Sequence, residues 1–294
     1  MIADRTYHLV IINGVQSYVY YPNLTTIEIN GGAAFYPSAY YAPNLTTFVV
    51  SEDFCSYGVI DGVLYGDFRS DGRYVVAYPA GLPGTVARFS GYVANNPLMK
   101  GNKIEKLYTA QNYLYPNSYS QNNDNLTDIY FTNKDMFVVE ETDQIWSENS
   151  FANREKVTIH GYKGSRLEAI ALQLGYRFVE LTECEINGHK TGLVEKAATC
   201  VSTGVAAHYE CSVCNQLSSD KLGDYPVQAD SLIVAIDKTN HTGKTEVKNT
   251  IAVTCAKEGY TGDTYCADCA EKIANGSVAN RSIPKSAPTT DRGG

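Results

Sequence analysis

Cysteine and histidine residues after position 181 of this 294-residue chain have the spacing of metal ligands. Seven of the eight cysteines lie there, and six of them fall into two similar patterns. Each pattern has a histidine, a cysteine followed four residues later by glycine, and a Cys-x-x-Cys pair. The first consists of His189, Cys200, Gly204, Cys211 and Cys214, and the second of His241, Cys255, Gly259, Cys266 and Cys269. Corresponding cysteines lie 55 residues apart, so the sequence predicts two modules with the same chemistry.

Three cysteines and one histidine form a ligand set that zinc accepts. Zinc binds four nitrogen or sulfur ligands in a tetrahedron, and a Cys-x-x-Cys turn supplies two of them. We therefore predict a structural Cys3His zinc site within each module, up to two ions in all. The histidine is the least regular member of the pattern, because its distance to the next cysteine differs by three residues between the modules. Cys184 could replace His189 as a ligand, and His208 is another candidate.

Disulfide bonds are the alternative use of these cysteines, and an extracellular setting would favour them. The second module holds three cysteines, so disulfides would leave one unpaired or would bridge the modules. A Cys3His site would use all three cysteines within the module. Free thiols are the remaining possibility. A thioredoxin-type redox role is not expected, because no βαβ pattern surrounds the motifs. Cys55 stands apart in the first part of the chain and is predicted to be a small buried residue.

The first part of the chain contains a repeat with steps of 21 to 28 residues. Segments 22–29 and 43–50 share Pro-Asn-Leu-Thr-Thr and alternating apolar positions, 125–131 is a third copy, and 104–108 and 156–159 are weaker ones. Alternate residues of such strands point to one side, and stacked turns join them into a parallel sheet over a continuous core. The expected core residues are Leu24, Ile27, Ile29, Leu45, Phe48, Val50, Leu126, Ile129, Phe131, Val157 and Ile159. The asparagine of each full copy is expected to bond to backbone groups.

Two further segments add to the repeat. The β-like runs at 61–65 and 74–79, with Asp71-Gly72 as a turn between them, predict an inserted hairpin. Residues 165–174 carry apolar side chains at helical spacing and predict a short helix.

Together, the Pro-Asn-Leu-Thr-Thr repeat and segments 61–65, 76–81 and 157–165 resemble the BspA-like leucine-rich-repeat surface proteins of bacteria. The resemblance covers about residues 1–181, and the sequence departs from the family pattern within 82–125. It implies a leucine-rich-repeat solenoid in which the helix at 165–174 lies in the C-terminal cap. It also implies an extracellular or cell-surface location.

The sequence thus predicts an α/β, β-rich fold. A leucine-rich-repeat solenoid with a parallel sheet is expected over 1–181, with the inserted hairpin and the cap helix. Two small Cys-rich β modules are expected over 182–231 and 232–281, and a disordered tail or linker over 282–294. The first repeat begins almost at once, without a signal peptide or a capping element, so we expect the sequence to be part of a longer or processed chain.

Composition narrows the classes of function that the chain could have. The net charge of −8, with 19% charged residues, gives no electrostatic footprint for nucleic acid. No run approaches the roughly 18 apolar residues that a membrane span needs. Because no catalytic set of residues occurs, we expect a surface or secreted binding or adhesion protein that contacts a protein or glycan, and not an enzyme. The alternatives are a non-catalytic accessory region of a larger secreted enzyme and a metal-dependent intracellular interaction protein.

Overall fold

A computed structural model of the protein contains two compact units, Met1–Asn187 and Gly188–Gly294. The structure describes residues 7–10, 19–29, 40–51, 56–67, 73–89, 91, 93, 97–115, 119, 124–139, 146–147 and 150–281. Three predicted features lie outside these residues, namely the turn at Asp71-Gly72, the burial of Cys55 and the tail over 282–294.

Parallel strands form the N-terminal part of the first unit. They are β1 (Tyr7–Val10), β2 (Val19–Tyr20), β3 (Leu24–Ile29), β4 (Tyr40–Tyr41) and β5 (Thr47–Val50). Strands β1, β3 and β5 form one parallel sheet, and β2 pairs with β4 in a second one. Thr26 pairs with Thr47 and Ile29 with Val50, so the 21-residue step of the sequence repeat is the register of the sheet.

An antiparallel sheet interrupts the parallel strands. It consists of β6 (Tyr57–Ile60), β7 (Val63–Gly66) and β8 (Tyr74–Ala77). The sequence predicted a hairpin of two runs, and the structure adds β6 as a third strand. Asp61 and Gly62, expected in the first run, form instead a two-residue turn between β6 and β7. Both have positive φ, 49° and 81°, and Asp-Gly favours this kind of turn because both positions need φ above zero.

The larger parallel sheet follows the insertion. Its strands are β9 (Val86–Phe89), β10 (Lys106–Thr109), β12 (Asp128–Phe131), β14 (Thr158–Gly161) and β15 (Arg177–Glu180), in that order across the sheet. Two shorter strands, β11 (Tyr113–Leu114) and β13 (Phe137–Val138), form a second parallel pair. The sequence left the strands of 82–125 unassigned, and the structure places β9, β10 and β11 there.

Alternate residues of the parallel strands make the solenoid core. Ala87, Leu107, Ile129 and Ile159 share one register position and are buried. Of the eleven side chains predicted for the core, ten are buried and Val50 is half-buried. The predicted solenoid with a parallel sheet is thereby confirmed.

Helix α1 (Arg166–Gln173), which the apolar spacing predicted, packs on this core through buried Leu167, Ile170 and Ala171. Reciprocal hydrogen bonds fix its start: the N–H of Glu168 donates to Oγ of Ser165, and the Glu168 carboxylate accepts from the N–H of Gly164. A second helix, α2 (Glu183–Asn187), follows β15. Neither these helices nor any other in the described residues is long and apolar enough to cross a membrane.

Asparagine side chains join successive turns of the solenoid. Nδ2 of Asn44 donates to the carbonyl of Pro22 (2.6 Å), and Nδ2 of Asn125 donates to the carbonyl of Asn102 (2.9 Å). The expected bonds to backbone groups are therefore present for Asn44 and Asn125, and they reach the preceding repeat.

Replacing Asn125 with alanine is expected to lower the free energy of unfolding by about 1–2 kcal/mol, because the hydrogen bond to the carbonyl of Asn102 is lost. Chemical denaturation followed by circular dichroism measures the change. Asp124→Ala, at the neighbouring exposed position, is the control and should change stability by less than about 0.5 kcal/mol. Equal effects of the two variants would contradict a stabilising role for this bond.

Both Cys-rich modules use a similar set of short antiparallel strands. The first has β16 (Thr191–Lys196), β17 (Gly204–Cys211), β18 (Leu217–Ser218), a 3₁₀ turn (Ala229–Leu232) and β19 (Ile233–Val234). The second has β20 (Thr245–Lys248), β21 (Gly259–Tyr260), β22 (Asp263–Cys266), β23 (Lys272–Ala274) and β24 (Val278–Ala279). β17 pairs with β16, β18 and β19. Its counterpart is split at Gly262 into β21, which pairs with β24, and β22, which pairs with β20 and β23.

The second unit has little apolar burial. Both hydrophobic core clusters of the described residues lie in the first unit. Within 188–281 the buried apolar side chains are Ala198, Cys200, Cys211, Leu232 and Cys266, while Leu193, Ile233 and Val247 are exposed. Three of these five buried apolar residues are cysteines, so aliphatic side chains contribute little to the interior of the second unit.

Candidate functional site

Each Cys-x-x-Cys pair begins at the last residue of a strand and forms the same tight turn. The N–H of Asn215 donates to the carbonyl of Cys211 (2.8 Å), and the N–H of Ala270 donates to the carbonyl of Cys266 (2.9 Å). Asn215 and Ala270 both have a φ of 60°. Alanine is rarely found in this left-handed conformation, which costs about 1–2 kcal/mol, so the turn is imposed by its surroundings.

The structure brings eight Cys and His residues into two groups of four. We call Cys184, His189, Cys211 and Cys214 site 1, and Cys200, His241, Cys266 and Cys269 site 2. Within each site the four candidate ligand atoms all lie within 4.8 Å of one another. Three thiols and one imidazole at this separation could bind a metal ion.

Individual distances resolve the geometry of the sites. Sγ of Cys214 lies 3.4 Å from Nδ1 of His189, and Sγ of Cys269 lies 3.5 Å from Nδ1 of His241. The Sγ atoms of Cys200 and Cys266 are 3.7 Å apart. A disulfide bond is about 2.05 Å long. None of the seven cysteines in the described residues forms a disulfide bond.

The grouping differs from the one that the sequence repeat predicted. Cys200, expected with His189, Cys211 and Cys214, lies in site 2, and Cys184 takes the fourth place in site 1. Cys255, expected in site 2, is exposed and belongs to neither site.

Hydrogen bonds between segments explain the regrouping. The N–H of Cys200 donates to the carbonyl of Asn240 (3.0 Å), and Nδ2 of Asn240 donates to the carbonyl of Ala198 (2.6 Å). These bonds hold His241, the next residue in the chain, beside Cys200. His208, the other candidate ligand, lies buried in β17, where Nδ1 donates to the carbonyl of Ala206 (2.8 Å).

Backbone N–H groups favour the thiolate at the start of each Cys-x-x-Cys turn. The N–H of Cys214 contributes most to lowering the pKa of Cys211 to about 6, and the N–H of Cys269 does the same for Cys266, to about 7. Burial, together with the neighbouring thiols, raises the pKa of Cys200 to about 12. Because the thiolate is the form that binds metal, the lowered pKa values favour cation binding at the two turns. The charge of a bound cation would also offset the cost of ionising Cys200.

A second candidate site lies on the outer face of the larger parallel sheet. Arg88, Tyr108, Tyr130 and His160 share one register position across β9, β10, β12 and β14. We call these four side chains the ladder. The Arg88 guanidinium lies 4.0 Å from the ring centre of Tyr108, the two tyrosine rings stack at 4.2 Å, and the Tyr130 and His160 rings stack at 4.1 Å.

The ladder runs from an exposed end to a buried one. Arg88 is exposed and Tyr108 half-buried, whereas Tyr130 and His160 are buried. At the buried end, Nε2 of His160 lies 2.8 Å from the Asp128 carboxylate, and this hydrogen bond holds the pKa of Asp128 below its usual value. Stacking covers both faces of the two tyrosine rings. The exposed end therefore offers a guanidinium and ring edges, and not open ring faces.

The fold, together with sites 1 and 2, defines the class of this protein as a parallel β-solenoid with Cys/His groups in its C-terminal modules that could bind metal ions. Comparisons with protein-family models, with curated proteins and with solved structures found no match to the chain.

Proposed function

We propose that this chain is a binding protein of the cell surface or the extracellular space that holds a protein partner on the outer face of its solenoid sheet. The observation that carries the proposal is the ladder, which places Arg88 and Tyr108 at an accessible position on regular strands. Arginine and tyrosine are among the residue types enriched at the positions that contribute most to binding energy in protein interfaces. Side chains held by stacking also lose little entropy on binding.

The chemistry of the exposed end favours a polypeptide over a glycan. A guanidinium pairs strongly with carboxylates, because two of its N–H groups donate parallel hydrogen bonds to the two carboxylate oxygens. The two tyrosine rings have both faces covered, so they offer no flat surface on which a sugar ring could stack. An acidic or carboxylate-bearing peptide segment therefore suits the ladder best, and a glycan is the alternative outcome of the test.

Arg88→Ala is expected to lower the affinity for a ladder-binding peptide at least tenfold, which corresponds to about 1.4 kcal/mol. The probes are peptides selected from a random display library on the immobilised protein, with a glycan array run in parallel. Binding of each hit to the Arg88→Ala variant is measured by surface plasmon resonance.

Tyr113→Ala is the matched control for this experiment, because Tyr113 is 50% exposed but lies in β11, outside the ladder. It should leave the affinity unchanged. Hits that come only from the glycan array and depend on Arg88 would replace the protein partner with a glycan. Hits that bind both variants equally, or the absence of hits on both probes, would overturn the proposal.

We infer further that sites 1 and 2 bind structural zinc. In a zinc tetrahedron with Zn–S bonds of about 2.3 Å and Zn–N bonds of about 2.05 Å, two sulfurs lie about 3.8 Å apart, and sulfur and nitrogen about 3.6 Å apart. The corresponding distances are 3.7 Å between Cys200 and Cys266, and 3.4 and 3.5 Å for the two Cys–His pairs. Four protein ligands leave no open position for a substrate, which supports a structural role over a catalytic one.

A further inference from the structure

The turn that carries Cys200 is repeated at Cys255. In the first module, Oγ1 of Thr199 accepts from the N–H of Ser202 (3.1 Å), and in the second, Oγ1 of Thr254 accepts from the N–H of Lys257 (3.0 Å). The N–H of Thr199 donates to the carbonyl of Ser202, and that of Thr254 to the carbonyl of Lys257, both at 2.9 Å. The two cysteines thus occupy equivalent places in equivalent turns.

The strands after these turns are equivalent as well. Gly204 pairs with Val234 of β19, and Gly259 pairs with Ala279 of β24, both in antiparallel register. A side chain at either glycine would collide with backbone of the segment before the turn. Residue 236, two after β19, therefore corresponds to residue 281, two after β24.

The surroundings of the two cysteines differ. Cys200 is buried against the segment that follows β19, and Ala198 beside it is 6% exposed. Cys255 is exposed, and Val253, which corresponds to Ala198, is 44% exposed. All residues from 251 to 258 are exposed. The first module uses the surface around Cys200 to complete site 2. In the second module the equivalent surface, with the thiol of Cys255, is exposed to solvent.

We propose that Cys255 is a metal ligand for a third site, which it completes together with the His and Cys-x-x-Cys of a further module of the same kind. The observation that points to a ligand, beyond the thiol itself, is that Cys200 at the equivalent position lies within site 2. The module repeat then links into a series in which each module donates one thiol to the metal site of the next. The inference rests on metal binding by site 2 as proposed above.

The test supplies that further module. A second copy of residues 237–281 is inserted between Arg281 and Ser282 of the full chain, so that 237 follows 281 as it follows 236 in the first module. The copy carries its own Cys255→Ser change, so that the Cys255 peptide reports one thiol only. Native mass spectrometry counts zinc ions, and alkylation followed by peptide mass analysis measures the reactivity of Cys255 in the parent and extended chains.

The expected result is two zinc ions in the parent chain and three in the extended chain, with alkylation of Cys255 slowed at least tenfold by the extension. Cys255→Ser in the extended chain should lose the third ion and keep the other two, which also shows that the rest of the unit is folded. An extended chain with two ions, or with three ions and an equally reactive Cys255, would overturn the inference. A parent chain without zinc would instead overturn the proposed zinc sites, and the inference with them.

Discussion

Removal of metal is expected to unfold the second unit while the solenoid stays folded. Structural zinc binds with an apparent free energy of about 10–16 kcal/mol, and a typical domain is stable by only about 5–15 kcal/mol. The buried apolar side chains of 188–281 are few, and three of them are cysteines of the two sites. The first unit has its own hydrophobic clusters and includes one candidate ligand, Cys184, near its C-terminal end.

The measurement is the intact mass, first native and then denatured without reductant, followed by hydrogen exchange with and without a zinc chelator. We expect a native mass heavier by two zinc ions, and full loss of protection over 188–281 when the ions are removed. Protection of the core strands β10, β12 and β14 serves as the internal control and should persist.

Two results would contradict this prediction. A denatured mass lower by two hydrogens for each bridge would show disulfides in place of metal sites. Unchanged exchange over 188–281 in the metal-free protein would show that the second unit is stable without its ions.

Cys200→Ser is expected to weaken zinc binding at site 2 by more than about 100-fold. Substitution of residues that only hydrogen-bond to a metal ligand already lowers metal affinity by about 10–100-fold, and loss of the ligand itself should cost more. Cys255→Ser is the matched control, since the two cysteines occupy equivalent turns, and it should leave two ions bound. Competition with a chromophoric chelator measures the affinity of each site. If the ligands were grouped by module, the two results would be reversed. Cys255→Ser would then lose an ion, and Cys200→Ser would leave the ion at His241, Cys266 and Cys269 bound.

This comparison also separates the two interpretations of Cys200. If the variant lost an ion from site 1, identified by increased alkylation of Cys211 and Cys214, ligands would be grouped by module after all. If Cys266 and Cys269 became reactive, the grouping of the structure would hold. Equal and intact zinc binding in both variants would exclude either cysteine as a ligand.

Much of the solenoid could be predicted from the residues themselves. Leu24, Ile27 and Ile29 show which face of a strand is buried, because alternate side chains point to the same side. The 21-residue step to Leu45 and Phe48 predicts the parallel register, since repeats of one length stack with equivalent residues adjacent. The helix at 166–173 also follows from local signals, namely its N-terminal Ser165 and its apolar spacing.

The sequence by itself also determined which kinds of residue could bind metal, and it named seven of the eight residues of sites 1 and 2 as ligands while holding Cys184 as a substitute. Only the tertiary structure decided how they are grouped. Spacing reports neighbours along one strand or turn, whereas Cys200 reaches His241 through hydrogen bonds to Asn240, 40 residues away in the chain. The ladder of Arg88, Tyr108, Tyr130 and His160 has the same origin, because its side chains become neighbours only when four separate strands pair in register.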